Sequence, residues 1–411
     1  MTDFVVPYLG QGSEFDESDI DAVTSLLRSR RHLSSGEERG AFEAEFAAAV
    51  GAEHAVATTS CTMALHLTVR LLGLRPGDEV IASPLTFQAT VAPLLGREVT
   101  VRFADIDEDT LGLSPAAVEA LLTPRTRAVL LTHYGGLAAR PRRIAELAKA
   151  HGAALVEDCA HALGSLDEGV PLGTSGTAGC WSFHSLKNIS TLGQGGMVTT
   201  GSAELARTLR RIREMDPDAD FVARDGAPDF GPAPGPDAPE RHAKNAYSHD
   251  CVAVRTGGLN AVMSEPAAAV GRTQLRRLPS FVARRREVAD RLNARLGALP
   301  GVSVHGDLPG SAHCYHLYTF RVTGLPPGGR DELVRRLHHR YGIEIVLRYF
   351  PLHLLPEWRL RGGRYGQCPV AERVWFSELV NLPLYPSLTE RQTSYMADAV
   401  ERTVEDLRAG R

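Results

Sequence analysis

The chain has 411 residues, 43% of them apolar and 23% charged, and a formal net charge of −4. That is enough chain for a large core and two domains, and the near-neutral balance leaves no basic footprint for nucleic acid or an acidic membrane surface. The N-terminus lacks a basic stretch followed by an apolar run, and no segment approaches the ~20 apolar residues of a bilayer span. A cytoplasmic protein is expected. The six cysteines (Cys61, Cys159, Cys180, Cys251, Cys314 and Cys368) are scattered with no C-x-x-C pair. Reduced thiols are expected rather than a disulfide framework, zinc or an iron–sulfur cluster, so no metal is expected.

Residues 43–50 read as a helix ended by Gly51, residues 54–59 as a strand, and residues 62–72 as a helix stopped by Gly73. A strand at 79–82, a helix from about Phe87 and a strand at 99–103 follow. Next come helix 114–122, strand 127–132, and helix 141–151 with proline in its first turn and Gly152 at its end. The apolar run AALV then ends in Glu157-Asp158. Strands alternating with helices of this length predict an α/β fold with a mostly parallel sheet covered by helices on both faces. Ligands collect at the carboxyl ends of such strands. Residues 216–240, rich in proline, glycine and aspartate, read as a surface loop, or alternatively as a lid. Beyond them, a helix at 284–296, strands at 316–322 and 344–349, and helices at 331–341 and 388–407 suggest a smaller α/β domain. The division expected is residues 1–255 and 256–411.

Lys187 carries the most information about function. It stands in SFHSLKN, before the glycine-rich turn GQGG, and Asp158 ends the AALV strand upstream. A lysine and an aspartate brought to the ends of neighbouring strands suit an aldehyde cofactor with a pyridine ring: the amine forms the Schiff base, and the carboxylate holds the ring nitrogen protonated. Taken singly, most lysines are solvated and most strand-end aspartates start a turn. The turn Thr59-Ser60-Cys61-Thr62 leads into a helix whose free amides suit a phosphate, although serine and threonine also cap helices everywhere. Ser182 stands ready to give that phosphate a second hydroxyl. Phe87 can stack on a flat ring or serve as a core aromatic. His161 can bond a ring hydroxyl or be a satisfied polar residue, and Asn260 can be a loop amide or a further phosphate donor.

A series of segments in fixed order resembles the DegT/DnrJ/EryC1/StrS sugar aminotransferases of the aspartate aminotransferase superfamily, with its fold type I. They include FEAEFAAAVGAEHAVATTSCTMALHL, LGLRPGDEVIASPLTFQAT, LLTPRTRAVLLTHYGG, VEDCAHALGS, WSFHSLKNISTLGQGGMVTT and LVNLPLYPSLTE. The resemblance implies pyridoxal 5'-phosphate, with Lys187 as the Schiff-base and proton-shuttling lysine and Asp158 as partner of the pyridine nitrogen. It gives His161 to the ring hydroxyl, Phe87 to stacking, and Cys61, Thr62 and Ser182 to the phosphate. Asn260 would be supplied to the phosphate by a neighbouring subunit, which implies a homodimer with shared active sites. Two positions depart from the pattern: Cys61 replaces the glycine of a Ser-Gly-Thr cradle, and Val262 replaces an arginine. The expected reaction takes an amino group from glutamate or glutamine to a nucleotide-linked keto sugar, with a keto-cyclitol as the alternative acceptor. A same-fold sugar dehydratase would carry histidine in place of Lys187, and a non-catalytic cofactor-binding regulator would fail to convert the cofactor with any amino donor.

Overall fold

The computed structural model describes residues 4–8, 10–218 and 253–411. Seven strands build the central sheet: β1 His54–Thr58, β2 Glu79–Ala82, β3 Thr100–Phe103, β4 Thr126–Thr132, β5 Ala154–Asp158, β6 Ala178–Ser182 and β7 Gly196–Thr200. Their spatial order is β1-β7-β6-β5-β4-β2-β3. Only β7 runs antiparallel to its neighbours, β1 and β6; the other pairs are parallel. The expected α/β architecture is therefore present.

Alternate residues of each strand feed opposite faces, as the two-residue period requires. Ala128 and Leu130 of β4, with Val156 of β5, join a core completed by Leu65, Leu67 and Val69 of the helix Cys61–Leu71. Val129 and Leu131 point the other way, with Leu155, onto Ile144, Leu147 and Ala148 of the helix Pro141–Ala150. A third cluster gathers Phe42, Phe46, Trp181 and Phe183, whose rings meet at 5.3–6.0 Å. A separate core lies around β8 Val302–Val304, β9 Tyr318–Val322 and β10 Leu379–Leu382, which form a three-stranded antiparallel sheet.

The helix expected at 284–296 runs instead from Glu265 to Leu296 and contains Pro279. Ser264 caps it, and Glu265 reaches back to accept the amides of Glu38 and Arg39 at 2.7 and 3.2 Å. Those bonds start the helix Glu37–Val50, whose own cap residue, Gly36, has no side chain to offer, so that helix begins earlier than the expected residue 43. The helix expected near Phe87 is two 3-10 turns, Gln88–Thr90 and Ala92–Leu94; Pro93 has no amide to continue an α-helical ladder.

The strand expected at 344–349 does not form. Side chains take the place of a ladder around it. Ile345 N donates to His338 Nδ1, Arg348 N donates to Asn381 Oδ1, and the Arg348 carbonyl accepts from the Tyr134 hydroxyl. Of the expected surface loop, residues 219–240 lie outside the described residues, and Pro217–Asp218 pairs with Ala253–Val254.

Candidate active site

The carboxyl edge of the sheet collects the site. Thr132 ends β4, Asp158 ends β5 and Ser182 ends β6, while Thr86 and Phe87 follow β2 and the helix Cys61–Leu71 follows β1. These residues line a cavity of about 370 Å³ together with His161, His184, Lys187, Gln194, Arg348 and Tyr349. Of the residues singled out from sequence, Lys187, Asp158, His161, Phe87, Cys61, Thr62 and Ser182 all meet here. Asn260 does not: it is exposed and bridges Glu214 outside the cavity lining.

Lys187 lies in a turn five residues past the end of β6, with its amide on the His184 carbonyl at 2.8 Å. The turn is pinned on both sides. Asn188 donates to the Leu163 carbonyl, and Gly12 donates to the Ser185 carbonyl at 2.7 Å. A Cβ at Gly12 would stand 2.1 Å from the Leu186 oxygen, so only glycine fits against this turn. Burial lowers the Lys187 pKa from 10.5 to about 8; the attraction of Asp158 opposes the shift and the Arg348 charge adds to it.

Asp158 is 5% exposed. Its Oδ1 accepts the Ala160 amide at 3.0 Å and its Oδ2 accepts the Thr90 hydroxyl at 2.5 Å. Because Thr90 donates there, it accepts from Thr86 at 2.7 Å, and Thr86 accepts from Thr132 at 2.9 Å. Three hydroxyls from two parts of the chain thus orient one carboxylate, and sequence reading named none of them. Nothing in a lone threonine announces such a chain; only the sheet register brings Thr132 beside Asp158.

His161 Nδ1 accepts the Gly135 amide at 3.2 Å, so its proton sits on Nε2, which faces the Tyr349 hydroxyl at 3.1 Å. Burial and the Lys187 charge push its pKa well below the usual value, and the ring is neutral. The His316 ring lies against it, tilted by 33°, with centroids 4.2 Å apart. Phe87 is 57% exposed and is not a core residue; its ring lies 5.8 Å from that of Tyr349 at the cavity wall.

Ser60 caps the helix Cys61–Leu71 by accepting the Met63 amide at 3.2 Å, while its carbonyl accepts Ala64 N. The amides of Cys61 and Thr62 have no intrahelical acceptor. Cys61 is buried, and desolvation raises its thiol pKa well above the usual value, so it is a neutral side chain tucked under the helix start. Gly196, paired with both Thr58 and Ser182, lies directly behind this start. A Cβ at Gly196 would meet the Ser60 carbonyl carbon at 2.3 Å and Cys61 N at 2.6 Å.

Next to Asp158, Glu157 is fully buried and accepts the amides of Gly173, Ser175 and Gly176 and the Nε2–H of His133. His133, Glu157 and Cys159 bring ligand-type atoms within 4.8 Å of one another. The His133 and Glu157 atoms are engaged in these bonds, and the cluster is a clasp for the 173–176 loop.

The sequence matches the DegT/DnrJ/EryC1/StrS aminotransferase family over residues 13–401. It is 35% identical, over 396 residues, to the spore coat polysaccharide biosynthesis protein SpsC of Bacillus subtilis (strain 168), covering 94% of this chain and 95% of that protein. The fold matches the aminotransferase TlmJ of Streptoalloteichus hindustanus with a TM-score of 0.84 and 31% identity, over 98% of this chain and all of that one. S. venezuelae DesV matches with a TM-score of 0.79 and 34% identity, over 94% of each chain.

Proposed function

The chain belongs to the DegT/DnrJ/EryC1/StrS aminotransferase family and is an aminotransferase with pyridoxal 5'-phosphate as cofactor, and from that premise we propose that it moves an amino group from glutamate or glutamine to a nucleotide-linked keto sugar. Amino transfer to a keto sugar accords with the family and with the polysaccharide pathway in the name of its relative SpsC. The observation that carries the reading is the meeting of Lys187 and Asp158 in one cavity at the sheet's carboxyl edge.

The residues fit the cofactor. A half-buried lysine with a lowered pKa faces the same cavity as a carboxylate, and a helix start with two unpaired amides is backed by a glycine that leaves no room for a side chain. Pyridoxal phosphate, when bound, supplies an aldehyde for amine capture and a ring that accepts electrons from the substrate carbon. Lys187 would hold the aldehyde and would be the base placed to move the substrate proton; a pKa of about 8 keeps a usable fraction of free amine near neutral pH. Asp158, fixed by Thr90 and Ala160, would hold the ring nitrogen and keep it protonated. The Cys61 and Thr62 amides, with the Thr62 and Ser182 hydroxyls, would take the phosphate. His161 Nε2–H would donate to the ring oxygen, and Phe87 would cover the ring face.

Asn260 is read as reaching the phosphate of a second copy, which makes the active unit a homodimer. Mixing a Lys187→Ala variant with an Asn260→Ala variant tests this: activity recovered in mixed dimers supports a shared site, and no recovery opposes it. The substrate reading is tested by cofactor absorbance with glutamate and glutamine, followed by a panel of nucleotide-linked keto sugars and keto-cyclitols. Turnover confined to a keto-cyclitol would replace the proposed acceptor.

A further inference from the structure

Apart from Asp158 and Lys187, the cavity lining carries one side chain with a full charge, Arg348, since burial lowers the pKa values of His161 and His184. Its backbone is fixed at both ends of the residue: N–H on Asn381 Oδ1 at 2.9 Å, carbonyl under the Tyr134 hydroxyl. The guanidinium lies over the rings of Tyr8 and Tyr349, 5.3 and 5.8 Å from their centroids. Other buried arginines have their charge answered. Arg213 meets Glu43, Arg321 meets Glu108 and Glu378, and Arg285 donates to four backbone carbonyls. Arg348 has around it the phenols of Tyr8, Tyr134 and Tyr349; its Nε is buried without a hydrogen-bond partner, as are those of Arg213, Arg285 and Arg321, but among the described residues no carboxylate pairs with it. A guanidinium held in place with an unspent donor is built to receive an anion.

Position selects the anion. Arg348 lies over the Tyr349 ring, 5.8 Å from its centroid, and the Tyr349 hydroxyl meets His161 Nε2 at 3.1 Å. Arg348 therefore stands on the His161–Tyr349 wall of the cavity, whereas the cradle proposed for the phosphate is built on the start of the helix Cys61–Leu71. The carboxylate of an amino acid is one bond from the carbon whose proton Lys187 handles. A nucleotide diphosphate is separated from the aminated carbon by much of a sugar ring. We propose that Arg348 binds the α-carboxylate of the amino donor, an inference that rests on the aminotransferase reading above.

The test compares the half-reaction of the cofactor-loaded enzyme with its reactive donor, glutamate or glutamine, and with the α-carboxamide of that donor. Wild type, Arg348→Gln and Arg348→Lys are measured, with calorimetric binding of α-methylglutamate as a readout independent of turnover. The wild type is expected to favour the free acid by about 10- to 100-fold in kcat/KM. Arg348→Gln should bring that preference close to unity and weaken α-methylglutamate binding by a similar factor, and Arg348→Lys should restore part of both. An undiminished preference in Arg348→Gln would overturn the proposal, including the case where affinity for a nucleotide-linked acceptor falls instead. A wild type that converts its cofactor with no amino donor would refute the aminotransferase reading itself, a result distinct from either.

Discussion

Replacing Lys187 with methionine should stabilise the cofactor-free protein while abolishing amino transfer. The amine is held where burial lowers its pKa from 10.5 to about 8, a displacement that already includes the compensating pull of Asp158. The drop from 10.5 to about 8, at ~1.4 kcal/mol per pH unit, sets an upper bound of ~3.5 kcal/mol on the cost of keeping this charge folded at neutral pH. Methionine keeps the length and removes the charge, so a gain of ~1–3 kcal/mol is expected at pH 7. The sign follows from linkage. A lysine with a depressed folded pKa penalises folding fully below pH 8, less as pH climbs toward 10.5, and not at all above it. Urea denaturation of both cofactor-free proteins across pH 7 to 11 measures the difference directly. A variant no more stable than wild type at pH 7, or a difference that does not shrink between pH 8 and 10.5, would refute the reasoning. The gain would also show that the site is maintained at the expense of stability.

Further outcomes follow from the same contacts. Thr90→Val removes the hydroxyl on Asp158 Oδ2 at nearly constant volume; kcat should fall by about 10-fold with the fold retained, since a hydrogen bond to a charged group is worth ~1.5–3 kcal/mol. Gly196→Ala forces a methyl into the Ser60–Cys61 backbone and should weaken pyridoxal phosphate binding, measured by fluorescence titration, far more than a Gly→Ala change at the open position Gly40. Arg285→Met strands the carbonyls of Gly12, Tyr315, His316 and Leu384, each at a cost of ~1–3 kcal/mol, and should destabilise the protein by ~3 kcal/mol or more in denaturant melts. Capture of pyridoxal phosphate by the cofactor-free enzyme should accelerate as pH rises through about 8 and level off above it, because only the unprotonated Lys187 reacts.

Much of the site was legible because its chemistry is concentrated in short segments beside regular elements. Lys187, Asp158, His161 and the Ser60–Thr62 turn each lie at or just after a strand of a βαβ pattern, where the alternation already places a ligand edge. What escaped reading depends on contacts between distant parts of the chain. The Thr132–Thr86–Thr90 hydroxyl chain needs the β2–β4–β5 register, and Arg285 draws four carbonyls from three separate segments. The β-rich run at 344–349 looked like a strand because propensity cannot show that Asn381, His338 and Tyr134 would claim its backbone groups. Pro279 concealed the first half of the long helix for a similar reason: tertiary packing of residues 265–281 against Phe42 and Phe46 overrides a local breaker.

The covalent attachment site is the most direct test. Borohydride reduction of the cofactor-loaded enzyme, followed by proteolysis and mass mapping, should place a phosphopyridoxyl group on the peptide containing Lys187 and leave the Lys187→Met variant unlabelled. Label on another lysine, or none after incubation with excess cofactor, would contradict the account.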